Sequence, residues 1–159
     1  MSIKIFIMRH GEAGFSASGD AERRLTVRGK VDSVSVLQQA VAHEKISVDR
    51  VLVSPYLRAQ ETWQEITGYV NAKTVETCDD ITPYGQAEHV FSYMMALAEV
   101  DKIESFFLVS HLPLVGYLTS EFVRDVTPPM FPTSGLICLE YQPENQQGQL
   151  LQRFFPTVS

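Results

Sequence analysis

Ile3-Lys4-Ile5-Phe6-Ile7-Met8 runs directly into Arg9-His10-Gly11, and the meaning of that junction governs the reading of the chain. A short, almost unbroken apolar run predicts a strand buried on both faces of a sheet. A cation and an imidazole then follow at once, so the strand ends there. Beyond it a polar loop rich in glycine and serine extends to Leu25. Thr26 suits the N-cap of a helix, with Val27, Val31, Val34, Leu37 and Val41 spaced by three or four. That stripe is expected to face the sheet.

The same alternation continues outward. Residues 51–53 form a second apolar run, and Ser54-Pro55 supplies an N-cap and first-turn proline for a helix that Gly68 ends. A third strand is expected over residues 74–77 and a helix over residues 86–100, where Val90, Phe91, Met94 and Leu97 recur at helical spacing. Residues 106–109 read as a fourth strand ending at Ser110-His111, and Pro113 opens the next helix. After Pro128-Pro129, residues 136–141 and 149–155 alternate around a turn near Pro143 and Gly148, as an antiparallel hairpin does. Strands alternating with amphipathic helices imply βαβ units around a parallel sheet. Without a repeat, low-complexity tract or linker, residues 1–159 are expected to be one domain.

Composition narrows the function classes. Apolar residues make up 45% and charged residues 20%, the balance of a globular protein. No window approaches the roughly 20 apolar residues of a membrane helix, and the N-terminus lacks the pattern of a signal peptide. The cytoplasm is the expected location. A net charge of −6 argues against a general nucleic-acid binder. It leaves room for a phosphate substrate, because a few arginines in one cleft reverse the local potential. Cys78 and Cys138, far apart in sequence, are expected to be reduced thiols.

In open α/β sheets ligands bind beyond the carboxyl ends of the strands. Arg9-His10, Ser54 and Ser110-His111 all fall at such ends, and Arg58 sits in the first turn of the helix after Ser54. Two histidines and two arginines are thus expected to converge from distant stretches. Neutral imidazole is a competent nucleophile. Phosphoryl transfer spreads charge over three oxygens, which arginine forks and a second, protonated histidine stabilise. No metal or cofactor is required. His43 and His89 lie in helical stretches and are read as solvent-facing or packing residues.

Taken together, these motifs are familiar. Arg9-His10-Gly11, Leu25-Thr26-Val27-Arg28-Gly29, Ser54-Pro55-Tyr56-Leu57-Arg58-Ala59-Gln60-Glu61-Thr62 and Ser110-His111 resemble, in order, four elements of the histidine phosphatase superfamily, which includes the phosphoglycerate mutases. The compact length, Ser110-His111-Leu112-Pro113-Leu114-Val115-Gly116-Tyr117 and Thr127-Pro128-Pro129-Met130-Phe131 are similar to its small phosphohistidine phosphatases. The resemblance implies a three-layer α/β fold. Its sheet is mostly parallel and six-stranded, with helices on both faces, a C-terminal antiparallel hairpin and no cap domain. It implies His10 as the phosphorylated nucleophile, with His111, Arg9 and Arg58 around the phosphoryl group. Arg23 falls where another arginine is carried, with the adjacent Arg24 as the alternative. The implied substrate is a phosphohistidine on a histidine phosphotransfer (HPt) domain or related phosphocarrier protein.

Relatives acting on alkoxide leaving groups use an acidic residue to protonate them. The corresponding stretch, Ile81-Thr82-Pro83-Tyr84-Gly85, has no carboxylate, although Asp79, Asp80 and Glu88 lie nearby. A departing imidazole needs less help, which fits phosphohistidine; Glu12, Asp20 or Glu22 remain alternative acids. The expected groove has rims at residues 12–20 and 128–132, with Phe15, Tyr84, Met130 and Phe131 offering apolar contacts. A monomer is expected. The alternatives are a small-molecule phosphatase or mutase and a non-catalytic phosphoprotein-binding module.

Overall fold

A computed structural model describes residues 1–157. In chain order the elements are β1 (Ile3–Arg9), α1 (Val27–His43), β2 (Ile46–Val53), α2 (Leu57–Ile66), β3 (Val70–Thr77), α3 (Ala87–Val100), β4 (Ser105–Ser110), α4 (Leu114–Phe122), β5 (Leu136–Gln142) and β6 (Gln147–Phe154). Single 3-10 turns occur at Asp20–Glu22, Thr67–Tyr69 and Asp79–Ile81. The strands form one sheet in the order β3-β2-β4-β1-β5-β6. The pairings β3–β2, β2–β4 and β4–β1 are parallel, and β5 and β6 close the other edge as an antiparallel hairpin. This is the six-stranded, mostly parallel α/β architecture expected from the sequence.

The period-2 geometry of β1 distributes its apolar run between two cores. Ile3, Ile5 and Ile7 pack with Phe106 and Leu108 beneath Val90 and Met94 of α3 and Leu114, Leu118 and Phe122 of α4. Phe6 and Met8 face the opposite side with Phe107 and Val109, against Val36, Leu37 and Ala40 of α1 and Ala59 and Ile66 of α2. Ile3, Ile5, Ile7 and Met8 are fully buried, each contributing about 1.5–3 kcal/mol. An unbroken apolar strand is what a sheet covered on both faces requires.

Two local expectations are corrected. The buried face of α1 is Gly29, Ser33, Val36, Leu37 and Ala40, whereas Val27 is 80% and Val31 61% exposed. The cause lies at Gly29, where a Cβ would collide with the backbone of Glu12. This close approach rotates the small-residue face inward, so Leu37 alone of the expected valine-leucine stripe is fully buried. Thr26 does cap α1, accepting from the Gly29 N–H at 3.0 Å.

The second correction concerns α2, which starts at Leu57 rather than at Pro55. Ser54 does not cap the helix. Its Oγ instead lies 2.7 Å from His111 Nε2 and accepts from the Tyr56 N–H at 3.2 Å. The helix ends at Ile66, and Gly68 falls within the 3-10 turn that follows. β2 and β3 extend further toward their amino ends than their apolar cores suggested. Among the described residues no helix is long and apolar enough to cross a membrane.

Candidate active site

The register of the three central strands builds the site. Arg9 pairs with Ser110 across β1–β4, and Val53 with Val109 across β2–β4. The residues that follow, His10, His111 and Ser54, therefore leave the sheet side by side at its carboxyl edge. The ladder continues one step past the strands: the His10 N–H donates to Ser110 O at 2.9 Å and the Ser54 N–H to Val109 O at 3.0 Å. From the far side, the Ser134 N–H donates to His10 O at 3.0 Å. The His10 backbone is thus held from both neighbouring segments.

The His10 side chain is 7% exposed. Its Nδ1 lies 2.7 Å from Gly11 O. A carbonyl can only accept, so Nδ1 carries the proton in the neutral ring and Nε2 keeps a lone pair. Toward that lone pair the Arg58 Nε–H donates at 3.3 Å. Burial, opposed by the Gly11 carbonyl and aided by the charges of Arg58, Arg9 and Arg23, lowers the His10 pKa to about 4. Near neutral pH this ring is a neutral base with its lone pair facing a guanidinium.

His111 stands beside it, with ring centroids 4.9 Å apart. It is 1% exposed, its Nε2 is engaged by Ser54, and its ring packs T-shaped with Tyr56, centroids 5.1 Å apart. Burial first, then the proximity of His10 and Arg58, lowers its pKa to about 2, against an upward pull from Asp20. Among the described residues, His111 Nδ1 and Arg9 Nε are buried polar atoms without a hydrogen-bond partner. Buried groups of this kind are rare and need an explanation.

The cations surround this pair. Arg9 donates from Nη1 to Phe131 O at 2.9 Å. Arg58 is 4% exposed and stacks over Tyr56 at 5.0 Å. It donates to Asp20 O at 2.7 Å and to Asp20 Oδ2 at 3.2 Å. Arg23 reaches the same carboxylate, Nη1 to Oδ1 at 3.1 Å, and also donates to Gly14 O and Ala13 O. Arg24 turns away, toward Glu61. Of the adjacent pair, Arg23 is the one whose charge bears on His10.

All five expected residues, His10, His111, Arg9, Arg58 and Arg23, thus gather at one edge. Phe131 does not join the rim. It is fully buried, because its backbone carbonyl is drawn in by Arg9 and its ring fills the core under α3 and α4. Phe15, Tyr84 and Met130 are 93%, 77% and 80% exposed. His43 is exposed, and His89 is exposed near Asp80.

Of the alternative acids, Glu12 is spent on the Thr26 hydroxyl. At Asp20, burial works to raise the carboxyl and is outweighed by hydrogen bonds from Arg23 and Arg58, which hold it below its usual value.

Several supporting residues were not singled out from sequence. The Thr62 hydroxyl accepts from the Gly11 N–H at 3.0 Å and donates to Arg58 O at 2.7 Å. One buried side chain thereby ties the His10 turn to the helix carrying Arg58; its place in the Ser54-to-Thr62 motif was the available signal. Ser134, buried with φ 66, meets the Ser33 hydroxyl at 2.8 Å, a contact no local pattern announces. The motif glycines also meet: a Cβ on Gly11 would lie 2.7 Å from Gly29 O.

A neutral imidazole with its Nε2 lone pair unprotonated, three guanidinium groups and a second imidazole form a site suited to attack on a bound oxyanion. The comparisons agree on the class. The family described as the histidine phosphatase superfamily (branch 1) matches residues 5–107, and the chain belongs to that superfamily. Within it, the chain is similar to phosphohistidine phosphatase SixA of Escherichia coli (strain K12). The two are 39% identical over 135 residues, covering 84% of this chain and 83% of that protein. A SixA homolog of Haemophilus influenzae (strain ATCC 51907 / DSM 11121 / KW20 / Rd) is also 39% identical, over 81% of this chain and 82% of its own. A solved structure of the protein histidine phosphatase SixA complexed with tungstate superposes with a TM-score of 0.87. It is 36% identical, with 97% of each chain covered.

Proposed function

We propose that this chain is a protein phosphohistidine phosphatase that takes the phosphoryl group from a histidine on an HPt domain or related phosphocarrier protein. The observation that carries the reading is the state of His10: Nδ1–H committed to Gly11 O, Nε2 left unprotonated, and the Arg58 Nε–H donating to that nitrogen at 3.3 Å. The kinship with proteins named phosphohistidine phosphatase supports the substrate class. Tungstate, present with one relative, is a tetrahedral oxyanion like phosphate.

In the first step His10 Nε2 bonds to phosphorus as the substrate's P–N bond breaks. Arg9, Arg58 and Arg23 take the charge of the equatorial oxygens. His111 is kept neutral by burial and cationic neighbours. A phosphoryl dianion beside it offsets that penalty, so Nδ1 can hold a proton and donate it in a hydrogen bond to an oxygen. The leaving ring departs as neutral imidazole because its other nitrogen, with an ordinary imidazole pKa near 6.5, takes a proton from solvent before the P–N bond breaks; no dedicated acid is needed, in keeping with Asp20 being ionised and gripped by two arginines. In the second step water attacks phosphorus as the bond from phosphorus to His10 Nε2 breaks; the water's protons stay on the released phosphate or pass to solvent, and His10 returns to the neutral ring with its Nδ1–H on Gly11 O.

Phe15, Tyr84 and Met130 give the carrier an apolar rim to dock on. We place the protein in the cytoplasm, as a single-domain monomer with reduced Cys78 and Cys138, which are both buried and unpaired.

The test is phosphate release from a purified phosphohistidine carrier protein, beside phosphoserine peptide and sugar-phosphate controls, with wild type and His10→Ala. Release from the carrier alone, lost in the variant, is the expected result. Release mainly from sugar phosphates overturns the protein-substrate reading and leaves the nucleophile in place. Carrier binding without release by either protein leaves a binding module.

A further inference from the structure

Arg23 and Arg24 are neighbours with the same chemistry, so something outside them decides which one serves the site. Around them the chain is extended. Ala13 and Leu25 form an antiparallel bridge, the Gly14 N–H donates to Arg24 O at 2.9 Å and the Thr26 N–H to Glu12 O at 3.0 Å. Successive side chains of an extended segment point to opposite sides. One arginine must therefore turn toward His10 and the other away.

Glu61 stands on the far side. It is a carboxylate 6% exposed, on α2 three residues after Arg58. Its Oε1 accepts from the Leu25 N–H at 2.9 Å, and its Oε2 accepts from Arg24 Nε at 3.0 Å and Nη2 at 2.9 Å. The Arg24 side chain is 75% exposed, so the pair resembles a surface salt bridge from the arginine's side and contributes little there. From the glutamate's side it is different, because a buried carboxylate left without partners is costly. That asymmetry holds Arg24 and the Leu25 backbone to α2. Arg23, one residue back, then points the other way, to Asp20 and through it to Arg58.

We infer that Glu61 is a positioning residue that selects Arg23 over Arg24 for the phosphoryl site by capturing Arg24 and the Leu25 N–H. The inference rests on the proposed role of Arg23 as a phosphate ligand. The side-chain hydrogen bonds of Glu61 go to Arg24 and the Leu25 N–H rather than to His10; it acts through the register of the loop.

The experiment is tungstate affinity, measured by calorimetry or by competition with turnover. The proteins are wild type, Glu61→Gln, Glu61→Ala, Arg23→Ala and the two Glu61 variants combined with Arg23→Ala, with thermal denaturation run on each. Arg23→Ala is expected to weaken tungstate by roughly tenfold or more, the scale of losing charge-assisted hydrogen bonds. Glu61→Ala should weaken it by a similar factor, and Glu61→Gln, which keeps an acceptor for Leu25, by less. In the Arg23→Ala background neither Glu61 change should cost much more, since the residue it positions is gone.

Independent, multiplying effects would overturn the inference in favour of a general structural role, as would wild-type affinity in both Glu61 variants. If Glu61→Ala does not fold, the Glu61→Gln cycle decides. Unchanged binding in Arg23→Ala alone would remove the phosphate-ligand premise and the inference with it, a failure recognisable because that single variant shows it.

Discussion

Arg58 divides one guanidinium among three acceptors: His10 Nε2, the Asp20 carbonyl and the Asp20 carboxylate. Only a planar fork can address all three at once, since a lysine offers a single point charge on a flexible stem. Arg58→Lys is therefore expected to lower kcat/KM for the phosphorylated carrier by roughly 100-fold, about 2.7 kcal/mol of transition-state stabilisation. Steady-state turnover checks it, and a loss under about threefold would mean that charge alone suffices. At this scale much was legible. Arg9, His10, Arg58 and His111 stand in short motifs at strand ends, and strand ends are where such sheets bind ligands. Arg23 was named over Arg24 from the resemblance alone; that Arg24 is held instead by Glu61 was not legible, because the two stand 37 residues apart in the chain. Nor was the role of Ser134, which reaches Ser33 across 101 residues.

Among the elements, α1 gives the clearest contrast between pattern and packing. Its periodicity marks a helix, yet Val31 lies on the solvent side and Leu37 in the core. Leu37→Ala is expected to cost about 2–5 kcal/mol, while Val31→Ala should stay within about 0.5 kcal/mol of wild type. Urea denaturation of both variants checks the assignment; equal costs would mean that the helix face is wrongly placed. The helix is rotated by a backbone contact, Gly29 against Glu12, and hydrophobic spacing carries no information about such a contact. The same holds at α2. Ser54-Pro55 has the chemistry of a helix start, but the Ser54 hydroxyl finds His111 Nε2 at 2.7 Å and the helix begins later. Phe131 follows the pattern in reverse: an aromatic in a proline-rich loop reads as a surface contact, and tertiary packing draws it fully into the core.

For the whole molecule, two neutral histidines buried side by side make stability depend on pH. His10 titrates near 4 and His111 near 2 in the fold, against about 6.5 in the unfolded chain. Below pH 6.5 the unfolded state binds more protons than the folded one. The stabilisation is thus fully present above 6.5 and is lost as pH falls from there to about 4 for His10 and on to about 2 for His111, with a slope of at most ~1.4 kcal/mol per pH unit for each ring. Thermal denaturation between pH 7 and 4 should show a steady fall in Tm. A His10→Asn/His111→Asn double variant should flatten it. An unchanged slope in that variant would place the acid sensitivity elsewhere.

The order of residues was enough to specify the alternation of buried strands and amphipathic helices, the polar residues at the strand ends and the family. Those are local properties, written in period and short motif. Tertiary packing set which helix face is inside, that Arg23 reaches Asp20 while Arg24 turns to Glu61, and that one threonine hydroxyl joins the His10 turn to α2. Each of those is a contact between distant segments, chosen by burial and by the need to satisfy buried polar groups, and neither acts until the chain has closed around them.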